Sequence, residues 1–517
     1  MNYCTRVTLT VGLLGPLVVT QTMNASAEIL TIGGAAQPAR SEVPALEDFV
    51  ALASKEEKIH EAAAARIAPL WKDGYAAMVI DIARFFRPAR ATPASGRSDD
   101  SLGEEDAQTG ASPPGRGREI ASAPPRSPES VVRARLLRFL SARTEKSFGS
   151  DLKPWRRWMW SLPYDPHPGY ATFKARLYAN VDPQMARFFE DTKGARIRLD
   201  EIDWGGVPVN GIPPLENPKV VSATEARFMG DKNVVFGLVV NGEARAYPKR
   251  ILAWHEMALD RVGGVSLAVV YCTLCGTVIP YETSAAGRAF TFGTSGLLYR
   301  SNKLMFDRET MSLWSTLEGR PLLGPLAKEE IVLKYRPVVT TTWKEWRIAH
   351  PTTTVLSLDT GQTRDYDEGV AYRDYFAHDD LMFEVPFHDK RLKRKAEVVT
   401  FFAGDDRSLV PVALDAAFLK KNPVLMFEAG GVSFVAHTTG AGANRLYRAD
   451  GVTFARATDA TLIDAFGRAW TVSEDALTLS DRAAASGAPV ITRAREPARR
   501  TFWFAWFAQF PETLLVR

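Results

Sequence analysis

The chain has 517 residues, 46% of them hydrophobic and 24% charged, an ordinary balance for a globular protein with room for two or three domains. A formal net charge of +4 is small for this length and gives no case for nucleic acid or an anionic membrane surface as partner. After Ala27 no apolar run reaches the ~18 residues that a membrane helix needs.

Residues 1–27 read as a secretory signal peptide. Arg6 is followed by an apolar stretch from Val7 to Val19, and Ala25-Ser26-Ala27 supplies a small-x-small cleavage pattern. Cleavage after Ala27, or retention of the segment as an anchor, are both open. The expected location is secreted or periplasmic. Removal of the segment would take away Cys4 and leave Cys272 and Cys275 as the only thiols.

Residues 28–87 are predicted to be helical. Trp71, Tyr75, Met78, Val79, Ile82 and Phe86 recur at helical spacing and make one apolar face. The Pro/Gly/Ser-rich stretch 88–128 reads as a disordered linker. Helical texture resumes over 129–195, with Val132, Leu136, Leu137 and Leu140 on one stripe. Trp155, Trp158 and Trp160 follow, either as a ligand platform or as a packing cluster.

From residue 196 onward, short β-branched and aromatic runs alternate with Gly, Asn, Asp and Pro. Val234–Val240, Ser266–Tyr271, Ala289–Phe292 and Ile331–Leu333 are predicted strands, and Asn241-Gly242 is a hairpin signal. The region also repeats itself in order. Trp343, Trp346, Pro351, Thr353 and Val355 match Trp503, Trp506, Pro511, Thr513 and Leu515. Gly242, Arg245 and Pro248 match Gly404, Arg407 and Pro411. Gly263-Gly264-Val265-Ser266 matches Gly430-Gly431-Val432-Ser433, and Asp307 and Trp314 match Asp464 and Trp470. The expected fold class is therefore α+β, mainly β. Two pseudo-repeated β-rich units, 196–395 and 396–517, follow a helical N-terminal region.

The copies differ where chemistry can lie. Tyr271-Cys272-Thr273-Leu274-Cys275-Gly276 in the first becomes Thr438-Thr439-Gly440-Ala441-Gly442 in the second, with His437 beside it. A strand delivers Cys272 into a tight turn that Gly276 can close with positive φ. Three uses of the pair stay open: soft-metal ligands, a redox-active dithiol, or an inert disulfide. The loop is so short that a disulfide there constrains the unfolded chain by only about 2 kcal/mol.

His255, in Trp254-His255-Glu256, is the candidate third metal ligand or general base. Asp307 and Arg308 form a candidate active-site pair or a plain salt bridge. The small-residue run 291–299 is a candidate ligand loop or a β connection, and Met305 reads as core. Two thiolates with His255 would suit copper or zinc.

The stretch 150–517 resembles the bacterial domain-of-unknown-function family DUF3179. The resemblance rests on Arg198-Leu199-Asp200-Glu201-Ile202, Trp204-Gly205-Gly206-Val207, Gly211-Ile212-Pro213-Pro214 and Ala244-Arg245-Ala246-Tyr247-Pro248. It continues through Trp254-His255-Glu256, the cysteine turn, Ser295-Gly296-Leu297-Leu298-Tyr299 and Phe502-Trp503-Phe504-Ala505-Trp506. It implies an exported protein built around the cysteine turn, and no particular activity. The functional expectations are soft-metal binding through Cys272, Cys275 and His255; a thiol–disulfide oxidoreductase using the same pair; or a glycan- or peptide-binding scaffold with incidental thiols.

Overall fold

The computed structural model describes residues 42–86, 128–405, 408–480 and 490–517. The expected signal peptide and all but Pro128 of the expected linker lie outside these residues. Among them no helix is long and apolar enough to cross a membrane. The fold is α+β and mainly β, with a helical N-terminal region, as the sequence indicates.

The N-terminal region contains Leu46–Ala51, Glu57–Ile67, Ala76–Arg84, Pro128–Thr144, Leu152–Ser161, Tyr170–Ala179 and Pro183–Arg187. Tyr75, Met78, Val79 and Ile82 are buried, as their spacing predicts. So are Ala76, Ala77, Ile80, Asp81 and Ala83, so Ala76–Arg84 is enclosed on all sides rather than amphipathic. Asp81 can be buried there because Lys174 Nζ lies 3.0 Å from its carboxylate and Tyr170 donates to it at 2.7 Å. The tryptophans pack rather than form a platform. Trp155 and Trp160 are buried, and their indoles donate to the Gly149 and Asp200 carbonyls, each at 3.1 Å.

The β region is built twice on one plan. In the first copy Val339–Thr342, Val234–Val240, Glu243–Pro248 and Thr354–Leu356 lie in that order in one sheet, with Val220–Ser222 added at the edge. In the second, Arg499–Phe502, Glu397–Asp405, Ser408–Asp415 and Leu514–Val516 lie in the same order. In both sheets the first two pairings are antiparallel and the next is parallel. Each then runs into a short helix, Lys249–His255 or Ala416–Lys421, and a hairpin, Met257–Val262 with Val265–Cys272 or Val424–Ala429 with Val432–Thr438. A four-strand antiparallel meander follows in each copy. It is Phe292–Tyr299 to Pro321–Leu323 in the first and Phe454–Ala457 to Ala476–Leu479 in the second.

The matched motifs fall at equivalent places. Trp343 and Trp503 each open a helix and each donate a backbone N–H, at 2.8 Å, to the residue before the long first strand, Asn233 or Ala396. Gly263 and Gly430 are both left-handed (φ 53° and 56°). A Cβ on Gly263 would stand 2.0 Å from the Val240 carbonyl oxygen, and on Gly430 2.7 Å from that of Ala403. Glycine is required there on both counts.

Two predicted strands differ from the structure. Ile331–Leu333 forms no strand. Ile331 and Leu333 are buried, but Leu333 N–H bonds singly to the Gly319 carbonyl at 2.8 Å, so the run is an apolar anchor without a ladder. Ala289–Phe292 is divided between Arg288–Ala289 and Phe292–Tyr299, because Thr291 N–H is taken by the Glu309 carboxylate at 2.9 Å.

Candidate functional site

Strand Val265–Cys272 pairs with Thr277–Glu282, and Cys272 stands opposite Thr277. The four residues between them form the turn. Cys275 N–H donates to the Cys272 carbonyl at 3.1 Å and Gly276 N–H to that of Thr273 at 3.3 Å. Gly276 has φ 64°, and a Cβ on it would meet the Phe502 ring at 3.0 Å. Within the turn Cys272 and Cys275 form a disulfide with Cα atoms 5.2 Å apart. The pair is enclosed, with Cys272 3% exposed and Cys275 fully buried.

Three other parts of the chain hold the turn. From the second copy, Phe502 N–H donates to the Cys275 carbonyl at 2.7 Å and the Thr501 hydroxyl donates to it at 3.1 Å. From the first meander, the Ser301 carbonyl oxygen lies 3.7 Å from Cys275 Sγ. From the segment joining the copies, the Tyr375 hydroxyl donates to the Leu274 carbonyl at 2.8 Å. That segment also supplies Leu381, Phe383 and Val385. They join Leu274, Phe502 and Phe504 in the apolar cluster around the sulfurs, with Tyr372, Tyr375 and Phe376 packed against it.

His255 is fully buried, and both of its ring nitrogens are engaged elsewhere. Nδ1 lies 2.9 Å from the Pro213 carbonyl and Nε2 2.5 Å from the Tyr366 hydroxyl. Burial, with the nearby Arg364, lowers its pKa and favours neutral imidazole. This fits Nδ1–H donating to Pro213 while Nε2 accepts from Tyr366. Among the described residues no group of three or more His, Cys, Asp or Glu is arranged to hold a metal ion.

Asp307 and Arg308 do not pair with each other. Asp307 is fully buried and accepts from Thr310 N–H at 2.6 Å, the Thr310 hydroxyl at 2.9 Å and the Trp314 indole at 2.8 Å. Arg308 pairs instead with Glu216 at the surface. The run 291–299 is a strand with a register shift between Thr294 and Leu298, and Met305 is core.

The sequence reading missed Lys303 and Tyr372. Glu256 ends its helix in a left-handed conformation (φ 55°), which turns its carbonyl to accept Tyr271 N–H at 2.8 Å. Lys303 Nζ donates to that same carbonyl at 2.9 Å and lies 3.4 Å from the Glu256 carboxylate. Burial lowers the Lys303 pKa, and Glu256 opposes the shift. Burial, with the nearby Glu256, raises the pKa of Tyr372. A buried lysine and glutamate, with a half-buried tyrosine beside them, thus stand behind the residue preceding Cys272. A lysine inside the apolar strand Asn302–Asp307 was the available signal.

The second copy replaces the disulfide with hydrogen bonds. Gly440 N–H donates to the Asp459 carboxylate at 2.8 Å and the Thr439 hydroxyl to Glu345 at 2.9 Å. His437 is fully buried. Its Nε2 lies 2.8 Å from the Thr458 carbonyl, and burial, helped by Arg445, lowers its pKa from 6.5 to about 4. Below pH 6.5 the unfolded chain takes up a proton that the folded protein refuses. Stability should therefore fall as pH drops from 6.5 toward 4, by on the order of 3 kcal/mol from this group. Urea midpoints at pH 7 and 4.5 should converge in His437→Gln, and an unchanged difference would remove the histidine from the acid response.

A family model described as a protein of unknown function, DUF3179, matches residues 209–513. That is more than half of the chain. The chain belongs to the DUF3179 family. No curated protein and no solved structure matches it. The DUF3179 match runs across both β copies, the cysteine turn and the closing Trp503 and Trp506. It leaves the N-terminal helices outside. The family description carries no activity, so chemistry in this DUF3179 protein has to be argued from the turn itself.

Proposed function

We propose that this protein is a thiol–disulfide redox protein whose working group is the Cys272–Cys275 pair. The observation that carries the reading is the setting of the disulfide. It is single, enclosed, and held by three separate parts of the chain, although so short a loop adds only about 2 kcal/mol through chain entropy. An exported location, expected from residues 1–27, would put it where disulfides form and persist.

The exchange runs with a partner that brings two thiols. A partner thiolate attacks Sγ of Cys272, the less enclosed sulfur. The partner–Cys272 bond forms, the Cys272–Cys275 bond breaks, and Cys275 leaves as a thiolate. Cys275 takes a proton and can then donate to the Ser301 carbonyl, 3.7 Å from its sulfur. The second partner thiolate attacks the partner's own sulfur in the mixed disulfide. That step releases the oxidised partner and the Cys272 thiolate, which is protonated in turn. Two electrons pass from the partner's thiols to the pair.

Soft-metal binding by the reduced pair would have to draw on ligands other than His255, whose ring already has two partners. The two readings part in one experiment. The full-length protein is equilibrated in glutathione buffers, its thiols are counted by alkylation and mass, and the reduced form is assayed for bound zinc and copper. The expected result is a midpoint in the range of exchange proteins, about −120 to −270 mV. A midpoint below about −300 mV would make the bond structural. One tightly held metal ion per chain that shields both thiols, and is lost in Cys272→Ser, would return the site to metal binding.

A further inference from the structure

We infer that the cleft between the two β copies, behind the cysteine turn, is a binding site for a small oxyanion, a carboxylate or a phosphate. This cavity of about 230 Å³ is lined by Lys249, Tyr271, Gly276 and Thr341 of the first copy and by Glu397 and Arg500 of the second. At a water-sized share of about 30 Å³ each, that is room for roughly eight non-hydrogen atoms.

Two hydroxyls in the lining have no hydrogen-bond partner among the described residues. They are those of Tyr271, fully buried, and Thr341, 5% exposed. Buried hydroxyls are normally satisfied, and leaving one unpaired costs about 1–3 kcal/mol. Lys249 is a third free donor. Its ammonium lies 4.7 Å from the Phe376 ring centroid, and it makes no hydrogen bond or ion pair among the described residues.

Charge then selects the ligand. Arg500 is already committed: to Glu397 at 3.2 Å, to the Gly442 carbonyl at 2.6 Å and to Asn444 Oδ1 at 2.5 Å. Glu397 and Arg500 neutralise each other, and Lys249 leaves the cleft with one net positive charge. Two hydroxyl donors and one unpaired ammonium suit an anion with two or three acceptor oxygens. Burial raises the Tyr271 pKa far above its ordinary value, so the phenol keeps its proton and can donate. No cysteine lines the cleft, and the inference does not rest on the redox reading.

The test is calorimetric titration of the full-length protein with inorganic phosphate and, separately, with succinate, each against sodium chloride at matched ionic strength. Saturable binding of one of them is expected, and the tighter of the two names the source of the oxyanion. Tyr271→Phe removes only the hydroxyl and should weaken binding about tenfold, the worth of one net hydrogen bond. Lys249→Met should weaken it by more than tenfold. The two variants act independently, so a folding defect in one leaves the other decisive, and circular dichroism melts report which is folded. Failure of both anions to saturate would overturn the proposal. So would binding that is unchanged in folded Lys249→Met.

Discussion

Asp307→Ala is expected to lower unfolding stability by about 4 kcal/mol or more, as the loss of three hydrogen bonds to a carboxylate at about 1.5–3 kcal/mol each. The carboxylate accepts from the backbone and the hydroxyl of Thr310 and from the indole of Trp314. Trp314 is fully buried, so its N–H has no water to turn to once the acceptor is removed. Asp307→Asn should fall between, because its amide oxygen can keep the indole while its NH₂ faces a backbone donor. The second copy repeats the device. Asp464 accepts from the Trp470 indole at 3.0 Å, from Phe466 N–H at 3.0 Å and from Arg468 Nε at 2.7 Å. Asp464→Ala should therefore destabilise in the same direction. Urea unfolding followed by tryptophan fluorescence reads both variants. An unchanged midpoint in Asp307→Ala would show that the carboxylate is no anchor and would reopen a chemical role for it.

These two aspartates also show what the sequence could and could not tell. The match of Asp307 and Trp314 to Asp464 and Trp470 was legible, because a duplicated plan keeps the residues that close the same turn. Its meaning was not. An aspartate beside an arginine reads as an active-site pair or a plain salt bridge until the structure gives Arg308 to Glu216 and Asp307 to its own turn. The hairpin at Asn241-Gly242 and the strand into Cys272 were legible from local rules alone, since turn chemistry and β-branched runs act over a few residues. The surroundings of the disulfide were not. Ser301, Tyr375 with Phe383, and Thr501 come from three distant stretches, and only the packed chain brings them to Cys272 and Cys275. The partners of His255 were hidden for the same reason. Closeness in sequence placed it near the turn, while Pro213 and Tyr366, both remote in sequence, took its nitrogens.

Phe383→Ala is expected to speed reduction of the disulfide by an external thiol about tenfold or more, without moving its midpoint potential. The sulfurs are covered by the segment that joins the two copies, in which Arg373–Ala377 is the only regular element between Leu356 and Glu397. A few contacts hold this cover. Tyr375 bonds to the Leu274 carbonyl at 2.8 Å, Lys153 Nζ to the Leu381 carbonyl at 2.9 Å, and Glu384 meets Arg157 at 2.5 Å and His388 at 2.7 Å. Phe383 is the largest of the three buried side chains, Leu381, Phe383 and Val385, that the segment adds to the cluster. Trimming a buried phenylalanine to alanine costs about 3–5 kcal/mol in a core, and each 1.4 kcal/mol is a factor of ten in an opening equilibrium. Even half of that loss, spent on opening, exposes Cys272 more than tenfold more often. If the cover packs alike over dithiol and disulfide, the equilibrium between them should stay where it was. Stopped-flow reduction with dithiothreitol gives the rate, and a glutathione titration gives the potential. A rate unchanged in Phe383→Ala would mean that thiols reach Cys272 by another route. A shifted potential would mean that Phe383 packs differently against the two redox states and acts on the bond itself.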